Sequence, residues 1–141
     1  MIQHRSGCPI NLSLEILGDK WTLIVVRDIA LGHRRHFREI LTNSEEGIAA
    51  NMLADRLKLL MAHGLLTRTD DPSHKQKAIY SLTEAGIELL PVLAQLIIWG
   101  RPHTSVSKSH AVLAKQMEEG GIKLQQKLMQ NLRRDHLGKS S

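Results

Sequence analysis

Asn51, Asp55 and Lys58 recur at i, i+4 and i+7, which places an amide, a carboxylate and an ammonium on one helix face. Against a nucleic-acid groove, an amide can pair with adenine and an ammonium with guanine or phosphate. A carboxylate cannot hold phosphate, so Asp55 reads as an acceptor for cytosine or as a support for its neighbour Arg56. The same three residues also fit an ordinary solvated face. Ala50 and Ala54 flank it, where small side chains let another surface approach. His74, Lys75 and Lys77 gather beside a turn, and Arg34, Arg35 and Arg38 gather ahead of the helix. Cations so placed suit backbone phosphates better than base edges. Arg56 lies only about 60° from the apolar seam, so an ion pair within the protein competes with a contact to nucleic acid.

Other chemistries find little support. His33-x-x-His36 has metal spacing, but Arg34 and Arg35 would repel a cation, and no carboxylate or thiol cluster accompanies the pair. Neither a metal nor another cofactor is expected. No Ser-His-Asp arrangement, phosphate loop or carboxylate pair stands out, so an enzyme is not expected. The single cysteine, Cys8, excludes an internal disulfide and fits a reducing cytoplasm. A thiol at a helix N-terminus with Arg5 nearby should be more acidic than free cysteine. It is either a reactive switch or a small residue packed at an interface.

These side chains need elements to hold them. Leu53, Leu57 and Leu60 form the seam of a helix flanked by Met52 and Met61, and His63-Gly64 stops it. Leu65 to Thr69 and Lys77 to Leu82 read as strands around the turn residues Asp70-Asp71-Pro72-Ser73. Before the helix, Phe37, Ile40 and Leu41 share a face of a shorter one, and residues 43–47 supply a turn. That is a helix-turn-helix arrangement. Residues 10–17 are apolar nearly all round, as in a helix covered on more than one side, plausible for a subunit contact. Asp19 is the expected cap of the next helix, from Trp21 to Leu31, preferred over a strand for its length. Thr83 caps a later one, with Pro91 inside and bending it and Gly100 to Pro102 ending it. The tail breaks at Gly120-Gly121 into two amphipathic pieces, with Arg133 and Arg134 set against the final helix dipole.

The 141 residues suit one domain with an appendage, and an aromatic share of 3% leaves the core to aliphatic side chains packed helix on helix. The longest apolar run, residues 23–26, is far short of a membrane span, and a secretion signal is not expected. A net charge of +5 is compatible with a nucleic-acid partner without requiring one.

Cys8-Pro9, Gly18-Asp-Lys-Trp-Thr22, His36-Phe-Arg-Glu-Ile40, Gly47-Ile48 through Met52-Leu53, Arg56-Leu57, Gly64-Leu65, Arg68, Tyr80 to Gly86, Pro91-Val-Leu93 and Trp99 resemble the HxlR-type, MarR-like regulators in the right order. The resemblance implies a mainly α fold with a small β-hairpin wing, a winged helix-turn-helix, acting as a homodimer on double-stranded DNA. It implies a cytoplasmic, sequence-specific transcriptional regulator, more often a repressor, on a pseudo-palindromic operator. Residues 1–103 would be the DNA-binding domain and 104–141 a helical extension aiding dimerisation. It settles residues 21–31 as helix, makes residues 48–63 the recognition helix, and allows a redox or electrophile switch at Cys8 or a small-molecule effector in an inter-subunit pocket. Ala49 stands where the family commonly has Ser, so the recognition helix lacks a side-chain cap.

Overall fold

Pro9, pre-set for a first helical turn, opens α1 (Pro9–Leu17) in a computed structural model that describes residues 3–139. The side chains of His74, Lys75 and Gln76 lie outside the described residues, and with them two of the residues expected at the wing tip. Two compact units divide the chain, Met1–Tyr80 and Ser81–Ser141.

In the first unit α1 is followed by α2 (Thr22–Ala30), α3 (Phe37–Thr42) and α4 (Ala50–Ala62), then strands β1 (Leu66–Asp71) and β2 (His74–Leu82). α2 packs against α1, α3 and α4, and α4 packs against β1. The core holds Val25, Val26, Ile29, Ile40, Ile48, Leu53, Leu57, Leu60 and Leu66, so the Leu seam of α4 faces inward as its period requires. Asp19 does cap α2: its Oδ1 accepts from the Trp21 and Thr22 amides at 2.8 and 2.9 Å. α4 ends in a Schellman turn, with Gly64 (φ 72°) donating to Met61 O and Leu65 to Leu60 O. Within the single chain none of the residues of α1 is buried, and Ile10 and Leu14 are 71% and 54% exposed.

The hairpin is longer than expected. The strands run on through Asp71 and from His74, leaving Pro72-Ser73 as a two-residue turn. The Asp71 carboxylate accepts from the Ser73 amide and hydroxyl, closing the turn so tightly that Asp71 itself stays in the ladder.

The second unit contains α5 (Glu84–Ile87), α6 (Leu90–His103) and α7 (Lys108–Leu137). Thr83 Oγ1 accepts from the Gly86 amide and caps α5. Pro91 does not bend a helix from within. It stands in the first turn of α6, where the missing N–H would have had no helical partner, and the chain breaks before it at Glu88-Leu89. α6 ends at His103, one residue past the expected Gly100 to Pro102 stretch, with Pro102 still helical. α7 packs on α5 and α6, burying Ala114, Met117 and Leu132. Its expected break falls at Gly121, whose φ of 58° and ψ of −151° suit glycine alone. Arg133 turns to Glu84, contacting both carboxylate oxygens at 2.9 Å or slightly beyond, while Arg134 pairs with Asp135. Among the described residues no helix is long and apolar enough to cross a membrane.

Candidate nucleic-acid interface

α3, the turn over residues 43–49 and α4 form the helix-turn-helix. Gly47 adopts φ 69° in the turn, and Ser44 Oγ accepts from the Ile48 amide at 3.1 Å. An ionic network with one buried member, Asp28, ties this turn to α2. The Arg27 guanidinium contacts Glu46 at 2.7 and 2.8 Å and Asp28 at 2.8 Å. Asp28 is almost fully buried, and that burial pushes its pKa up against the pull of Arg27 and Arg34. Glu46, its strongest partner, raises the pKa of Arg27. The angle between α3 and α4 is thus braced by charge as well as by packing.

With Leu53, Leu57 and Leu60 buried, α4 leaves Ala50, Asn51, Asp55 and Lys58 exposed on its outer face and Ala54 half-buried beside them. The helix starts at Ala49 with no side-chain cap, as the sequence indicates. Asn51 partly compensates, because its Oδ1 accepts from the Met52 amide at 3.0 Å and satisfies one first-turn donor. Its amide nitrogen is then the group best placed for an outside acceptor. Arg56 is held within the protein, 3.1 Å from Asp19 and 3.3 Å from Asp55, with Nε against Met52 Sδ. Asp55 thus lies against Arg56 while its side chain stays 64% exposed.

The three arginines ahead of the helix diverge. Arg34 donates to Asn43 O at 3.2 Å and lies 3.7 Å from Asp28. Arg35 Nε donates to Tyr80 O at 3.1 Å, and the Tyr80 amide returns a bond to Arg35 O at 2.8 Å, joining β2 to the approach to α3. Arg38 is exposed on α3, with no charged partner among the described residues. The hairpin is also fastened at its turn, where His36 Nε2 meets Asp71 Oδ2 at 2.8 Å. Ser73 first, and His36 after it, draw the Asp71 pKa down to about 2. Lys77 on β2 and Arg68 on β1 are exposed. Arg68 carried no assigned role in the sequence reading, although counting back from a two-residue turn sets it opposite Lys77.

Cys8 is exposed in the single chain, at the N-cap of α1. The backbone amides of Asn11 and Ile10 lower its thiol pKa. Among the described residues no group of three His, Cys, Asp or Glu side chains could hold a metal ion.

Residues 16–108 match the HxlR-like helix-turn-helix family. An uncharacterized HTH-type transcriptional regulator of Mycobacterium tuberculosis is 35% identical over 100 residues, covering 70% of this chain and 61% of that protein. The chain thus spans less than two thirds of the length of these mycobacterial relatives. YybR of Bacillus subtilis, also an uncharacterized HTH-type transcriptional regulator, is 32% identical over 109 residues, 76% of this chain and 84% of its own. The reduced form of the transcriptional regulator YodB from B. subtilis aligns with a TM-score of 0.55 at 31% identity, over 67% of this chain and 92% of that one. The redox regulator HypR in its oxidized form aligns with a TM-score of 0.59 at 29% identity, over 70% of this chain and all of that one. The fold is a winged helix-turn-helix with the hairpin as wing.

Proposed function

Since this chain belongs to the HxlR-like helix-turn-helix family of transcriptional regulators, which are not enzymes, we propose that it is a cytoplasmic repressor binding a pseudo-palindromic operator as a homodimer. The observation that carries this reading is the outer face of α4, where Asn51, Asp55 and Lys58 are exposed over a fully buried Leu seam. Two such helices enter successive major grooves, with half-site centres about one helical turn apart, roughly 10 bp. Asn51 and Lys58 meet bases or nearby backbone, and Ala50 and Ala54 permit the close approach. Arg38, with Lys75, Lys77 and His74 of the wing, neutralises flanking phosphates; Arg34 and Arg35 join them only through what their protein acceptors leave free. Residues 1–103 carry this function, and residues 104–141 aid dimerisation. Footprinting the purified protein on the DNA upstream of its own gene tests the reading. A protected pair of related half-sites is expected, with affinity falling steeply as salt rises. Protection of one half-site, or affinity indifferent to salt, overturns it.

A second reading makes the same regulator a redox or electrophile sensor, with Cys8 as its reactive group. The exposed thiol, made more acidic at the N-cap of α1, supports this, and the redox regulator HypR is among the similar structures. Oxidation by diamide should change operator affinity in the wild type and leave Cys8→Ser unaffected. Equal responses would remove Cys8 from the mechanism and turn attention to a ligand between subunits.

A further inference from the structure

We propose that the cleft between α3 and the base of the hairpin is an oxyanion site in which Arg38, Arg68 and Lys77 grip a backbone phosphate of DNA. The proposal rests on the DNA-binding reading above and adds a site away from the outer face of α4. The cleft encloses about 550 Å³, with the three cations and Glu39 around walls that include Phe37 and Tyr80. Glu39 is the one carboxylate lining it, and it is already engaged, accepting from the Arg35 amide at 2.8 Å. Arg38, Arg68 and Lys77 are exposed and have no ion-pair partner among the described residues.

Two features separate this arrangement from scattered surface charge. The two-residue turn at Pro72-Ser73 places Arg68 and Lys77 opposite each other on neighbouring strands, where like charges repel at a cost to the folded hairpin. An anion between them converts that repulsion into attraction. The walls are also fixed beforehand. His36 meets Asp71 at 2.8 Å at one end, and the paired bonds between Arg35 and Tyr80 hold the other. Little ordering is left for the moment of binding, which favours affinity. Two guanidinium forks and one ammonium match the oxygens of a phosphate better than a planar, apolar ligand would.

The test uses the full chain, with Arg68→Gln, Arg38→Gln and Arg68→Lys compared on the footprinted operator and on an unrelated duplex. Each Gln variant should bind both DNAs about 3- to 10-fold more weakly and lower the slope of log affinity against log salt by about one, while Arg68→Lys keeps the slope. Arg68→Gln should melt no lower than the wild type. Unchanged slopes in both Gln variants, with wild type still bound to its operator, overturn the site and leave the DNA reading standing. A lower melting point for Arg68→Gln also overturns it, by making Arg68 structural. Inorganic phosphate titrated into the DNA-free protein, followed by NMR shifts around Arg38 and Arg68, separates the sources. Weak saturable shifts lost in Arg68→Gln agree with the proposal. Tight phosphate binding with unchanged DNA slopes assigns the cleft to a free phosphate and overturns its DNA occupant. If the wild type binds no DNA at all, the functional reading fails and takes this DNA contact with it, and the phosphate titration alone shows whether an anion site exists.

Discussion

The outer faces of α4 and α6 follow the same spacing and carry opposite chemistry. On α4 the exposed positions i, i+4 and i+7 are Asn51, Asp55 and Lys58; on α6 they are Val92, Leu96 and Trp99. Each helix buries its other side, through Leu53, Leu57 and Leu60 in one case and Leu90, Leu93 and Ala94 in the other. Burial within the chain therefore explains one side of each helix only. The polar face keeps its hydrogen-bonding groups hydrated until a partner supplies replacements, which suits the edges of base pairs. The apolar face, with Trp99 at 62% exposure and Leu96 at 52%, gains free energy simply by leaving water. A second copy of the chain is the partner proposed here for that face, with the exposed Ile10 and Leu14 of α1 as a further contribution.

The contrast can be broken most forcefully on the apolar side. Leu96→Asp should weaken the proposed dimer by more than about 3 kcal/mol, because a carboxylate would be buried without a partner. Sedimentation should then find a folded monomer at micromolar concentration, and an unaltered dimer would show that α6 faces something else. Truncating a buried seam comes next. Leu57→Ala should cost about 2–5 kcal/mol in urea unfolding, whereas Val92→Ala should cost the isolated fold very little.

On the polar side, Asn51→Ala should reduce discrimination at one base pair by about 1–3 kcal/mol, while Lys58→Ala weakens specific and random DNA alike. Competition binding against single-base operator variants distinguishes the two patterns, and an equal loss on all sequences for Asn51→Ala would remove it as a base reader. A gain is expected from Ala49→Ser, which supplies the absent cap and should raise stability by about 1 kcal/mol without altering operator choice. The smallest effect concerns the wing. The folded-state pKa of Asp71, about 2, lies below its ordinary 3.8. The ionised carboxylate therefore stabilises the fold above about pH 4, and this contribution is lost as pH falls towards 2. In thermal melts Asp71→Asn should lie below wild type at neutral pH, and the gap should close as pH falls from about 4 towards 2.

Much of the molecule is legible in its sequence because the relevant physics is local. The Leu seam of α4, the stop at Gly64, the caps at Asp19 and Thr83, and the break at Gly121 each depend on residues within about one or two helical turns. The empty cap at Ala49 is legible for the same reason. Pro91 marks the edge of that legibility, since a proline announces a helix start or a bend and only the observed break at Glu88-Leu89 selects the start.

What the sequence could not decide is which charge meets which. Arg34, Arg35 and Arg38 read as one basic group, yet folding gives the first two protein acceptors and leaves Arg38 facing a cleft with Arg68 and Lys77. Arg56 finds Asp19, and Arg27 finds Glu46, across long stretches of chain. Side-chain spacing along one helix determines which residues share a face. Only the packing of distant elements decides whether a charge on that face is already matched within the protein, because an ion pair depends on separation in space rather than along the chain.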